Sequence, residues 1–356
     1  MRFCLLLGFL LLIAAPATAQ LTIESLEATH SSGTLYHFPL MGGDSLQAAR
    51  VNTFLQTREL EKLPGHFRES PFEDVWPEKD SFHGVTEMDY TLSFVQPGIL
   101  TVSIVSVAMG AYPSEFVNTY HFDARTGEPI TLRNLLTAEG FAALDAEITQ
   151  ERLQRIDDFV AGKRGGGAEL RSDPELAEEQ KGLYRDCRDR VEQRHPVVVD
   201  ELRLGRNDLT LVRESCGPRV MAALDDLDLS ATRDYEQSQE LLNDYARCLL
   251  IERGARCERK RDGIEVGVYR GTIGGRYPIT LVVAGVNWDG LPYARYYYDK
   301  QGKPISLRAS FGEDGSILFA ESGPPPARFE LRRGPDGQLQ GKWTQEDKPP
   351  QTVELR

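Results

Sequence analysis

The six histidines, His30, His37, His66, His83, His121 and His195, are scattered along the chain. None has the H-E-x-x-H spacing that sets two imidazoles on one helix face for a metal. No G-x-S-x-G elbow occurs to expose a serine nucleophile. Gly162-Lys163-Arg164-Gly165-Gly166-Gly167 is glycine-rich. It lacks the Lys-Ser/Thr ending of a phosphate loop, so it reads as a flexible connection between helices. Asp157-Asp158 and Asp225-Asp226 are adjacent pairs, which on a helix point to different sides and belong to solvated faces rather than acid–base machinery. His121 lies in an alternating stretch with no nucleophile and carboxylate converging on it, so it reads as a satisfied strand histidine. No catalytic residue, metal site or cofactor is expected.

Binding chemistry is better supplied. Trp288, Tyr293, Tyr296, Tyr297, Tyr298 and Trp343 offer ring faces that can stack on sugars. Consecutive tyrosines on a strand point to alternate faces, so packing claims a large share of them. Tyr112, Trp288, Tyr293 and Tyr297 are the candidate ligand-binding residues. Beyond the first 19 residues the cysteines are Cys187, Cys216, Cys248 and Cys257. Their wide spacing suits structural bridges rather than zinc, with three connectivities open. The pairing of least sequence separation joins Cys187 to Cys216 and Cys248 to Cys257.

Residues 35–41 read as a strand and Ser45 to Leu60 as a helix, followed by an irregular polar stretch to Phe82. The chain is β-prone from Met88 to Val107, where Leu100, Val102 and Ile104 alternate with Thr101 and Ser103 after the Pro97-Gly98 turn. A further strand runs from Phe116 to Asp123. Thr137 can cap a helix carrying Phe141, Leu144, Ile148, Ile156 and Phe159 on one stripe. A second helix carries Leu176, Leu183, Cys187 and Val191. Residues 197–212 are β-prone, and a third helix is expected over about Tyr235 to Arg253.

The charged run Glu252 to Asp262 reads as a boundary, beyond which the pattern changes. Asp-Gly recurs at 262–263, 289–290, 314–315 and 336–337, a hairpin signature. Between these turns apolar and polar residues alternate, as in Phe329 and Leu331 against Arg328, Glu330 and Arg332. About eight short strands and no helix are expected, as an antiparallel meander that closes into a small barrel or folds over as two sheets. The fold class is α+β: an N-terminal antiparallel sheet packed with helices, then this all-β part. The domain layout is 1–19, 20–252 and 262–356.

Residues 1–19 have a basic start, the apolar run Cys4 to Ala15 and small residues at Ala17 and Ala19, the pattern of a secretory signal peptide. That run is too short to span a bilayer as a stable anchor. The mature chain is expected in the periplasm or outside the cell. The full sequence of 356 residues has 54 acidic against 41 basic side chains, net charge −13. This excess of acid argues against a nucleic-acid partner, since phosphate affinity comes from Lys and Arg.

One stretch looks familiar. Leu100-Thr-Val-Ser-Ile-Val, Met109-Gly-Ala-Tyr-Pro, Tyr120-His-Phe-Asp and Thr126-Gly-Glu-Pro-Ile-Thr-Leu resemble an extracytoplasmic domain family. This is the domain of the lysozyme-sensing anti-sigma factor RsiV, found also beside the deacetylase module of PdaC. With Tyr36-His-Phe-Pro-Leu, Ala49-Arg-Val-Asn-Thr-Phe and Val220 to Leu242, the resemblance covers about residues 20–250. It implies an antiparallel sheet against helices, and an envelope protein for which a basic wall hydrolase such as lysozyme is one partner. Tyr112 stands where members often have histidine, so that histidine's role does not carry over, and no catalytic residue is transferred. The chain therefore reads as a non-catalytic exported binding protein for a wall hydrolase or peptidoglycan. The alternative is a glycan-binding protein or an enzyme acting on cell-wall glycans.

Overall fold

Leu35–Gly42 forms a strand, β2, as its apolar spacing predicts, and pairs antiparallel with an edge strand, β1 (Thr22–Thr29), that the sequence reading did not anticipate. The structure is a computed structural model that describes residues 22–78, 83–110, 113–163, 173–193, 197, 200–213, 215–217, 221, 224–225, 227–261, 263–287, 290–313, 315–335 and 337–356. Ser45 caps the first helix, α1 (Leu46–Glu59), by accepting from the Ala48 N–H. A four-stranded antiparallel sheet follows in chain order: β3 (Gly84–Gln96), β4 (Ile99–Met109), β5 (Pro113–Asp123) and β6 (Glu128–Ile130). The Tyr36 hydroxyl donates to the Val85 carbonyl at 2.7 Å and ties β2 to β3.

Most of α1 is inside the protein. Val51, Asn52, Thr53, Phe54, Leu55, Gln56 and Thr57 are all buried. Phe54 meets Tyr120 and Phe122 of the sheet edge-on, with ring centroids 5.8 and 5.7 Å away. The Asn52 amide satisfies both backbone groups of Met41, at 2.8 and 2.7 Å. A buried polar side chain on a helix is tolerated when it finds partners of this kind.

After a short helix, α2 (Leu132–Leu135), Thr137 caps α3 (Ala138–Val160), its hydroxyl accepting from the Gly140 N–H at 2.8 Å as the sequence predicts. Next comes α4 (Pro174–Gln193), with Phe159 of α3 edge-on to Tyr184, centroids 4.7 Å apart. Cys187, on the buried face of α4, is bonded to Cys216, and Cys248 to Cys257, the connectivity of least sequence separation. Three strands, β7 (Glu201–Leu204), β8 (Asp208–Val212) and β9 (Ala231–Asp234), make a further antiparallel sheet. Arg152 of α3 is wholly buried, pairs with Asp200 at 2.7 Å and donates to the carbonyls of Leu229 and Leu211. That pair anchors α3 to the sheet, at the desolvation cost any buried charge carries.

The third helix is shorter than the sequence predicts. Tyr235 to Leu242 runs as turns: the Asp234 carboxylate accepts from the N–H groups of Glu236 and Gln237, as at a helix start, but Leu242 is drawn into a β-bridge with Leu136. Helix starts only where Asn243 caps it, accepting from Ala246 N–H while its amide donates to the carbonyls of Asn134 and Leu136. This helix, α5 (Asp244–Ala246), continues as a π-helical turn over Arg247–Ile251.

From Gly267 the chain winds eight antiparallel strands into a closed barrel, settling the choice left open by the sequence. They are β10 (Gly267–Ile273), β11 (Tyr277–Val286), β12 (Pro292–Tyr298), β13 (Pro304–Phe311), β14 (Ile317–Glu321), β15 (Ala327–Arg333), β16 (Leu339–Gln345) and β17 (Gln351–Leu355). The barrel closes where β10 pairs with β17, and there Gly271 is required: a Cβ would lie 1.8 Å from the Glu354 carbonyl oxygen. Gly263, Gly290, Gly315 and Gly337 all have positive φ, as the Asp-Gly turns predict. The four aspartates before them lie outside the described residues. Phe329, Leu331, Leu339, Trp343, Val353 and Leu355 fill the interior, while Arg328, Glu330, Arg332, Lys342 and Glu354 face out. Phe311, the last residue of β13, is exposed.

His121 of β5 links the four-stranded sheet to the three-stranded one. Its Nδ1 lies 2.8 Å from the Thr101 hydroxyl, and its Nε2 lies 3.0 Å from the Leu202 carbonyl and 3.2 Å from the Leu204 N–H. Burial pushes its pKa down to about 4 from 6.5. The unfolded chain therefore takes up the proton first. The stabilisation is complete above pH 6.5 and is lost as pH falls through about 4. Urea midpoints of the parent should fall more steeply from pH 7 to pH 4 than those of His121→Gln. Parallel losses in the two proteins would contradict this role.

Candidate functional site

The outer face of β12 carries Tyr293, Arg295 and Tyr297, because alternate residues of a strand share a face. Tyr296 points the other way, into the barrel, where it packs on Phe329 at 4.9 Å and donates to Glu321. Register places Val282 of β11 and Ser306 of β13 directly beside Arg295, so the three form one row across three strands. A bulge between Val283 and Gly285 adds Ala284 to the same surface. At Gly285 a Cβ would lie 2.3 Å from the Tyr293 hydroxyl; the missing side chain is what lets that phenol lie over the strand.

The last turn of α1 supplies the facing wall. Thr57, Arg58, Val282, Ala284, Tyr293, Arg295, Tyr297 and Ser306 line a cleft of about 210 Å³, with Ala294 and Leu307 beneath. Apolar packing holds the two walls together, since Val282 and Tyr297 belong to the same buried cluster as Val51, Phe54 and Leu55 of α1. Polar bonds add to it. Arg270 of β10 donates to the Thr53 hydroxyl at 2.8 Å, and Arg295 pairs with Glu61 at 2.8 Å. At another edge of the same seam, Glu128 holds Arg50 and Arg261, and Arg259 reaches Glu265 and the Pro129 carbonyl. The gap left among those groups is only about 30 Å³.

Arg58 is held from behind. Its Nε donates to the Tyr120 hydroxyl at 3.4 Å, that hydroxyl donates to Glu59, and Asn118 also donates to Glu59. The guanidinium carbon sits 5.2 Å from the centre of the Tyr293 ring, a cation–π contact. Burial opposes the charge on Arg58, but the neighbouring Tyr120, Tyr293 and Glu59 outweigh it and raise its pKa. Burial raises the Tyr297 phenol to about 12, against the pull of Arg295, so it stays protonated at neutral pH. The Tyr297 hydroxyl is buried and meets no hydrogen-bond partner of good geometry among the described residues, with Arg295 beside it.

The Thr57 hydroxyl is engaged by the carbonyls of Thr53 and Phe54 and is not free to attack a substrate. Among the described residues no three His, Cys, Asp or Glu side chains converge as a metal site. Of the candidate ligand residues, Tyr293 and Tyr297 come together here, while Tyr112 and Trp288 lie outside the described residues. Asp157 pairs with Arg188 on the surface, and Asp225 accepts from Tyr184, Ser215 and Cys216, both structural roles. The sequence reading missed Arg58 and Arg295. The alternation Tyr293-x-Arg295-x-Tyr297 was a usable signal for the second; nothing local marked the first.

No family model and no curated protein matches the chain. Among solved structures it is similar to a DUF3298 family member from Bacteroides fragilis, at 12% identity and a TM-score of 0.38, over 64% of this chain and 95% of that one. It is likewise similar to a DUF3298 family protein from Pseudomonas aeruginosa, at 12% identity and a TM-score of 0.37, over 64% and 96%. Likeness at this level carries nothing about ligand or activity.

The contact between Gly285 and Tyr293 is testable by a double-mutant cycle. Gly285→Ala should destabilise the protein by about 1–3 kcal/mol in urea unfolding through overpacking, and by clearly less in a Tyr293→Ala background. Additive effects would show that the phenol does not lie over this strand.

Proposed function

We propose that this chain is an exported, non-enzymatic binding protein of the bacterial envelope, and that the cleft between α1 and β12 receives a cell-wall carbohydrate. The observation that carries this reading is the Tyr293 ring, 38% exposed, set in a cleft whose lining joins the Arg58 and Arg295 guanidinium groups and the Ser306 hydroxyl to the apolar Val282 and Ala284. An aromatic face beside polar donors is the chemistry that takes a sugar ring. Two disulfides and the apolar N-terminal run support export. The resemblance of residues 20–250 to the RsiV and PdaC extracytoplasmic domain supports an envelope role.

The net charge of −13 favours a second reading, capture of a basic wall hydrolase by electrostatic attraction. It requires binding to lysozyme that is present at low salt and weakened at high salt; no binding at low salt removes it. For the carbohydrate reading, the mature protein should co-sediment with insoluble peptidoglycan. Tyr293→Ala should weaken retention about five- to tenfold. Tyr277→Ala, an exposed tyrosine that does not line the cleft, should leave it unchanged. Equal retention of all three proteins, or none, would overturn the reading.

A further inference from the structure

The walls of the cleft carry charge of one sign. Its lining holds two ionised side chains, Arg58 and Arg295, while the carboxylates of Glu59 and Glu61 stand behind them and do not line it. Arg295 is committed to Glu61 at 2.8 Å and reaches the Thr57 carbonyl at 3.5 Å. Arg58 is different. Among the described residues no carboxylate oxygen lies within 4.0 Å of its guanidinium, and its one hydrogen bond is the 3.4 Å contact from Nε to Tyr120. The nearest acid, Glu59, is engaged by Tyr120 and Asn118. Arg58 thus keeps its two terminal nitrogens for something else, in the fork geometry that accepts a carboxylate through two parallel bonds.

From this we infer that the ligand is an acidic sugar, one whose ring carries a carboxylate. The inference rests on the carbohydrate reading and narrows it. Three features of the cleft match three parts of such a molecule. Arg58 takes the carboxylate. The Tyr293 ring, with the guanidinium carbon 5.2 Å from its centre, offers its exposed part to the apolar side of the sugar. The Ser306 side chain, exposed on the next strand, is a hydrogen-bonding group for a ring hydroxyl or amide.

The test compares two probes that share one ring and differ by a carboxylate-bearing ether: N-acetylmuramic acid and N-acetylglucosamine. Calorimetric titration of the full mature protein should show the acid binding at least tenfold tighter. Arg58→Gln should bring the acid down to the level of the neutral sugar. Arg58→Lys, which keeps the charge without the fork, should retain only part of the preference. Thermal unfolding of each variant confirms that it is folded, and the comparison of the two sugars on the parent protein needs no variant. Equal affinity for both sugars overturns the acidic-sugar inference and leaves the carbohydrate reading standing. Binding of neither sugar, together with failure to co-sediment with peptidoglycan, overturns both. An acid preference that survives Arg58→Gln overturns the assignment to Arg58.

Discussion

The structure depends on the burial of α1 from two sides. A surface helix keeps one face in water; over residues 51–57 this one keeps none. Its apolar side chains Val51, Phe54 and Leu55 pack in one cluster with the sheet and with Val282 and Tyr297 of the barrel. Its polar ones each need a partner, since an unsatisfied buried polar group costs on the order of 1–3 kcal/mol. Asn52 finds the backbone of β2, and Thr53 finds Arg270 of the barrel. Removing the barrel would uncover the apolar cluster and take away the Arg270 donor to Thr53, whose hydroxyl itself donates to the Ala49 carbonyl at 2.6 Å.

The cleft follows from that constraint. A rounded barrel laid against a helix touches it along a line and leaves a wedge beside the contact. Here the wedge opens at the last turn of α1, where Arg58 follows the buried residues. Arg270 and Arg295 pin α1 at successive positions, and the Glu128 group closes another edge of the seam. Charged groups at the rim of a seam set registry better than they add stability, because each gives up water to pair. The Cys248–Cys257 bridge holds the segment leading into Arg259 and Arg261, so the covalent link and the ionic group support the same edge.

What was legible in the sequence is what is encoded locally. The barrel strands announced themselves by strict alternation and recurring Asp-Gly turns, and the Thr137 cap by its position before an apolar stripe. The tyrosine run was readable as alternate faces, with Tyr296 inside and Tyr297 outside. Strand β1 was not legible, because Thr22–Thr29 lies on an edge with little burial and so carries little apolar pattern. The turns at 235–242 hid behind helix-favouring residues, since what stops the helix is a bridge to Leu136, far away in sequence. The cleft was half legible. Tyr293 and Tyr297 share a strand face, but the residues that face them come from α1. The Arg295–Glu61 pair spans 234 positions, and no spacing rule reaches that far.

The cleft exists only if α1 is held by sheet and barrel together. Native-state hydrogen exchange on the full chain measures this directly. The amides of residues 51–57 and those of β12 should open in one cooperative step, with matching free energies and matching responses to urea. If the barrel amides exchange through a separate, lower-energy opening while α1 stays protected, the seam is loose and the cleft is not a built feature of the molecule.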